Sequence, residues 1–200
     1  MFGESWQLAQ TYAELLWTTG VENGLIGPRE VPRLWSRHLL NCAAISSGFD
    51  PESRVCDVGS GAGLPGVVLA LTRPDLELIL LEPLLRRYEF LREAVESLGL
   101  SRVQVVRGRI EEQASGSFDA VTARAVAPLD RLVRWCLPRC RSGGRLVAMK
   151  GAKAEAELEA CVPTLRRMDA RSWRVRDFTL STVDVTAVAV EIVAGDTGRA

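Results

Sequence analysis

The residues Asp57-Val58-Gly59-Ser60-Gly61-Ala62-Gly63-Leu64-Pro65-Gly66 carry the clearest chemical signal in this chain. Four glycines at close spacing let the backbone turn sharply and let a ligand approach the main chain with no Cβ in the way. Two frames compete. Gly61-x-Gly63-x-x-Gly66 spells the dinucleotide fingerprint, in which a pyrophosphate rests on a helix amino terminus. That frame starts late and is interrupted by Pro65. The other frame, Asp57-x-Gly59-x-Gly61-x-Gly63, begins directly after the apolar residues 55 and 56 and places an acid two positions before the first glycine. It suits S-adenosylmethionine, which has no phosphate and presents an ammonium, a carboxylate, a sulfonium and an adenosine. An acid at a strand end meets the cationic side, directly or through water, and the glycines let the rest lie against the backbone.

Further polar residues recur wherever an apolar run ends. Glu82 closes "LELILLE" and can accept hydrogen bonds from both ribose hydroxyls, a feature shared with dinucleotide proteins. Arg109-Ile110-Glu111 follows "VQVV": Glu111 can accept from an adenine amine, or the main chain at Ile110 and Glu111 can frame the ring. Arg124 in "TARAVAPL" stands where a methyl acceptor must enter, and Lys150 closes "RLVAMK". The competing reading of the acids is a solvated loop carboxylate, and of Arg124 an exposed loop arginine. Cys56 alternates with Asp57 and is expected to point into the core, which argues against covalent cysteine chemistry.

These positions need strands to carry them. From Arg54 onward, apolar runs and helical patterns alternate: strands at 54–59, 76–82, 103–108 and 118–123, helices at 64–71, 86–99 and 129–140. A glycine turn at Gly143 and Gly144, a strand at 145–151 and a helix at 154–165 follow. Two late strands at 173–181 and 186–194 have no helix between them. Strands separated by helices imply right-handed crossovers and a mainly parallel sheet, with ligands outside the carboxyl ends of its strands. The closing pair predicts one strand running against the rest. The expected fold is α/β and Rossmann-like, with seven strands. Residues 1–50 read differently: helical spacing over 4–20, then over 29–46 after Pro28, predicts a cap on a core spanning 51–200, all within one domain.

Composition narrows the possibilities. The formal charge is zero over 200 residues, without the overall basic excess usual in a domain devoted to nucleic acid, although a local basic face is compatible. The apolar runs fall short of the ~20 residues that span a bilayer, and the amino terminus lacks signal-peptide character, so a cytoplasmic location is expected. The cysteines at 42, 56, 136, 140 and 161 lack metal-ligand spacing and His38 is the single histidine, so no metal site and no disulfide framework are expected.

"DVGSGAGLPGVVLAL", "RRYEFLREAVESLGL", "RIEE", "FDAVTARAVAPL" and "GGRLVAMKG" resemble, in wording and order, the bacterial small-subunit rRNA methyltransferase G family, also called glucose-inhibited division protein B. "SRHLLN" is similar to that family's "RHILDS". The resemblance runs from about Arg37 to Gly151 and weakens afterwards. It implies a class I S-adenosylmethionine-dependent methyltransferase fold and methylation of guanine N7 in the 530 loop of 16S rRNA, on naked rRNA or the small ribosomal subunit. By position it implies cofactor contacts at Gly59, Leu64, Ile110, Glu111 and Arg124, beside Asp57, Gly61, Gly63 and Glu82 from the loop reading. Arg37, His38, Arg109 and Lys150 resemble its basic residues and are taken as RNA contacts, with Arg29 and Arg33 on the same cap segment; the competing reading is a cap salt-bridged through Glu30, with His38 structural. Asn41 stands where the family usually has Asp, and Glu82-Pro83 where it often has Asp-Ser. Competing functions are a small-molecule methyltransferase whose cap closes over a metabolite, a nucleotide-sensing module without catalysis and, least favoured, a dehydrogenase.

Overall fold

Two kinds of local pattern, helical spacing before residue 50 and alternation after it, produce two kinds of structure in the computed structural model, which describes residues 1–196. The amino-terminal segment forms α1 (Trp6–Trp17), the short α2 (Thr19–Glu22) and, after a run of irregular turns, α3 (Leu40–Ala44). The second cap helix expected over 29–46 is not a regular α-helix. Residues Pro28–Arg33 form 3-10 turns, Leu34–Leu39 a wider π-type segment, and Ile45–Gly48 a closing 3-10 turn. Pro32 inside this stretch has no N–H to donate, and its ring crowds the preceding turn, so regular i to i−4 bonding cannot run through it.

The sheet consists of β1 (Arg54–Val58), β2 (Glu77–Leu81), β3 (Val103–Val106), β4 (Phe118–Arg124), β5 (Cys140–Lys150), β6 (Ser172–Leu180) and β7 (Val185–Val193). Their order is β3-β2-β1-β4-β5-β7-β6, and β7 runs antiparallel to both neighbours. Helices α4 (Gly66–Thr72), α5 (Leu85–Ser97), α6 (Leu129–Cys136) and α7 (Ala154–Arg167) join successive parallel strands. Strand order reverses between β1 and β4, so a crevice opens where their carboxyl ends diverge.

Alternation along β1 sorts its side chains. Val55 packs with α4, α5 and the cap residues Ala9, Tyr12, Leu16 and Leu39, whereas Cys56 and Val58 pack with Leu132 and Val133 of α6 and Leu158 of α7. The cap therefore covers one face of the sheet and shares its core. One turn was misplaced by sequence. Gly143 and Gly144 lie inside β5, which starts at Cys140, and the β4–β5 register shifts between Phe118 and Ala120. A side chain at Gly144 would meet the carbonyl oxygens of Arg141 and Asp119 at 2.9 Å, so glycine here serves a strand irregularity.

Candidate active site at the carboxyl ends of the strands

The loop after β1 turns through three left-handed residues, Gly59, Gly61 and Gly63, with φ of 63°, 61° and 93°. Such angles disfavour any residue with a Cβ. Three anchors hold the loop. Asp57, fully buried, accepts through Oδ2 from Ser60 Oγ at 2.6 Å and from the amide of Gly66, the first residue of α4, at 2.9 Å. Glu82, at the end of β2, accepts from the Gly61 amide at 3.0 Å and, through its other oxygen, from the Leu84 amide at 2.9 Å. Tyr12 reaches across from the cap and donates its hydroxyl to the Ala62 carbonyl at 2.7 Å. Asp57 Oδ1 is buried without a hydrogen-bond partner, and burial pushes this carboxyl up to about 7, against the lowering effect of its Ser60 and Gly66 bonds.

Beside the loop lies an apolar slot lined by Val58, Gly59, Pro83, Gly108, Ile110 and Trp135, among others. Ile110 is buried, Glu111 is exposed, and Arg139 donates to the carbonyls of both, at 3.0 and 2.6 Å. That fixes the backbone after β3 where a flat ring would insert. Leu64, also buried, precedes the cis bond to Pro65 at the start of α4.

A second, larger cleft of about 990 Å³ opens across the ends of β4, β5 and β7, between Arg37, Asn41, Arg124, Pro128, Lys150 and Thr186. Val126 borders both clefts. Arg124 is held from two sides: Nη2 lies 2.6 Å from His38 Nδ1, and Nη1 donates to Cys42 Sγ at 3.1 Å. The other ring nitrogen of His38 is 3.0 Å from Glu30 Oε2, and Glu30 also pairs with Arg33 and Arg37. His38 and Lys150, expected on an RNA-facing rim, are turned inward. His38 is 9% exposed with both ring nitrogens engaged. Lys150 donates to Glu157 at 2.8 Å and to the Ala127 carbonyl at 3.0 Å. Arg37, Arg109, Arg29 and Arg33 remain at the surface.

The donor and acceptor set fits S-adenosylmethionine: a glycine turn open to close approach, a strand-end carboxylate beside an apolar slot, and a guanidinium on the wall of the adjoining cleft. Among the described residues, no group of three or more His, Cys, Asp or Glu is placed to hold a metal ion, and no helix is long and apolar enough to cross a membrane.

Residues 5–178 match the family model described as rRNA small subunit methyltransferase G. The chain belongs to the small-subunit rRNA methyltransferase G family. It is 60% identical to the ribosomal RNA small subunit methyltransferase G of Thermobifida fusca, over 84% of this chain and 71% of that protein. It is 50% identical to the protein of the same name from Mycolicibacterium smegmatis, over 100% of this chain and 87% of that one. Among solved structures, an S-adenosylmethionine-dependent O-methyltransferase from Thermotoga maritima superposes with a TM-score of 0.61 at 15% identity, covering 86% of this chain and 72% of that one. At that identity the likeness speaks for the fold, which is the class I methyltransferase fold.

Sequence reasoning in this family member missed Tyr12, Arg139 and Val126; Glu30 reads in sequence as a salt-bridge partner of the cap arginines, which it is, but not as the partner of His38. Tyr12 lies far from the motif in sequence, and its helical spacing signals only packing. Arg139 follows α6 among many other arginines. Val126 sits two residues beyond Arg124 in a quoted segment, next to Ala125 with its left-handed φ of 55°.

Proposed function

We propose that this chain transfers a methyl group from S-adenosylmethionine to N7 of a guanine in the 530 loop of 16S rRNA. The family match carries the reading, and the two clefts that meet at Val126 supply its geometry. Gly59, Gly61, Gly63 and Leu64 would form the bed of the cofactor, Glu82 would face its ribose, and Ile110 and Glu111 would frame its adenine. Asp57 acts from beneath, by holding Ser60 and Gly66 in place.

When bound, S-adenosylmethionine supplies an electrophilic methyl group on a sulfonium. Guanine N7 is an unprotonated lone pair on the major-groove edge, so no residue has to remove a proton before it reacts. The carboxylate in the larger cleft is consistent with this, since Glu157 is committed to Lys150 and to the Leu129 amide. The task left to the protein is in-line positioning in a site shielded from water, an effect that can supply about 7–11 kcal/mol. Arg124, on the wall of the larger cleft, would orient the reacting groups. Arg37, 58% exposed at the cleft, and Arg109 would neutralise RNA phosphates around an unstacked base. A substrate of naked rRNA or assembled small subunit would put the protein in the cytoplasm.

Mapping N7-methylguanine by borohydride reduction and aniline cleavage, in rRNA from cells with and without this protein, tests the reading. Cleavage in the 530 loop only where the protein is present is expected. Methyl transfer to a metabolite extract with none to small-subunit rRNA would overturn it.

A further inference from the structure

Arginine has only N–H donors and never an acceptor, so a ring nitrogen 2.6 Å from its guanidinium must offer a lone pair. That requirement fixes the state of His38. Nδ1 is bare, the proton sits on Nε2, and Nε2 donates to Glu30 Oε2 at 3.0 Å. The ring is neutral while this arrangement lasts. We infer that Glu30 and His38 form a positioning pair that locks the Arg124 guanidinium on the wall of the larger cleft, and that the lock opens when His38 takes up a second proton. The inference rests on the reading of Arg124 as a residue of the methyl-transfer site.

The geometry supports it from several directions. Arg124 ends β4, while His38 lies in the π-type segment of the cap and Glu30 in the 3-10 turn before it. The irregular path forced near Pro32 is what brings Glu30, eight residues earlier in the chain, against the ring. Cys42 Sγ holds the other amino group of Arg124, so the guanidinium is gripped at both Nη atoms. Its remaining N–H donors are left for ligands in the cleft it borders.

The charged groups facing the ring are Glu30 and Arg37 from the cap and Arg124 from β4; Tyr12 of α1, Cys42 of α3 and Asp57 of β1 lie close enough to Arg124 to feel its charge. Burial and the Arg124 charge hold the His38 pKa below its ordinary value of 6.5, and the bond to Glu30 opposes them without reversing the direction. Below that lowered pKa, Nδ1 would carry hydrogen and confront a donor with a donor. Arg124 would lose one of its two anchors, which gives the enzyme an acid limb that guanine N7 chemistry does not itself require.

His38 is the single histidine in the chain, so its ring resonances need no assignment. Nitrogen-15 NMR of the full protein should show the neutral Nε2–H tautomer at pH 7.5 and a pKa below 6.5 that rises in Arg124→Ala. An Nδ1–H tautomer, or a pKa indifferent to Arg124→Ala, would overturn the inference. Loss of a bond to a charged group predicts that His38→Phe weakens S-adenosylmethionine binding by calorimetry, or kcat/KM on small ribosomal subunits, by ~10- to 100-fold. His38→Asn, whose carbonyl replaces the Nδ1 lone pair, should recover most of that loss and lack the acid limb. Thermal unfolding of each variant identifies any that simply fail to fold, and the NMR measurement on wild type does not depend on them. If Arg124→Lys and Arg124→Ala bind cofactor and react like wild type, the reading of Arg124 itself fails. If they are impaired while His38→Phe is not, only the positioning role fails.

Discussion

Glu82 Oε2 accepts the amide hydrogen of Gly61 at 3.0 Å, so the carboxylate that closes β2 also holds the turn that follows β1. Its second oxygen accepts from Leu84, and the residue is 1% exposed. Truncation leaves two amides without their partner. At up to roughly 1–3 kcal/mol for each donor left unsatisfied, and less where water reaches it, Glu82→Ala should lose about 1–4 kcal/mol of stability along with cofactor affinity. Glu82→Gln, which keeps one acceptor oxygen, should lose less of both. Urea unfolding and calorimetry read the two effects separately; equal losses in both variants would contradict the bracing role.

Gly59 should tolerate nothing larger. Its φ is 63°, and an added Cβ would stand 2.8 Å from Val126 Cγ2. The left-handed backbone alone costs about 1–2 kcal/mol in a residue with a Cβ. Gly59→Val is expected to abolish measurable binding of S-adenosylmethionine. Gly59→Ala should weaken it by at least ~10-fold, and adding Val126→Ala should return part of that loss because one of the two obstacles is gone. Near-normal affinity in Gly59→Val would speak against the placement of the cofactor.

Asp57 gives the fold a pH dependence of defined sign. Its carboxyl titrates near 3.8 when exposed and near 7 in the folded chain, chiefly because burial penalises the charge. Between those values the unfolded chain gives up the proton while the folded one keeps it. Stability from this group is therefore full below about pH 3.8 and declines as pH rises through 7, by a few kcal/mol on the order of one pKa unit per 1.4 kcal/mol. Asp57→Asn cannot ionise, so its stability relative to wild type should improve between pH 4 and pH 8 in urea titrations. A constant difference across that range would show that Asp57 does not hold its proton.

Two basic residues at the larger cleft should behave differently. Arg37, exposed and only loosely paired with Glu30 at 3.5 Å, should contribute one phosphate contact. Arg37→Ala is expected to lower the slope of log affinity against log salt by about one. Lys150 is 10% exposed and bound to Glu157 and Ala127. Lys150→Ala should leave the slope unchanged and instead slow methyl transfer by loosening the 125–128 loop. Filter binding of rRNA fragments across a salt series distinguishes them.

The parallel sheet was legible because its strands are nearly pure apolar runs ended by glycine or charge. Asp57 to Gly66 announced the crevice for the same reason: backbone that must be left-handed shows itself as glycine. What sequence could not show were partnerships between distant segments. His38 and Lys150 read as residues of an RNA-facing rim because a polar side chain shows no geometry in one dimension; Glu30 and Arg124 engage the one and Glu157 the other in three. The cap helix after Pro28 was over-regularised for a different reason, since its apolar spacing survives a change of helix type that alters which side chains are neighbours.

Tyr12 and His38 both come from the cap, and they hold, respectively, the turn after β1 and the arginine that ends β4. A graft that exchanges the first fifty residues between relatives would therefore carry away two fasteners of the reaction centre along with the roof. Such a hybrid would need its tyrosine matched to the recipient's glycine turn, and its histidine to the recipient's arginine, before it regained activity. The segment outside the motif is in this sense heritable only as a set with it.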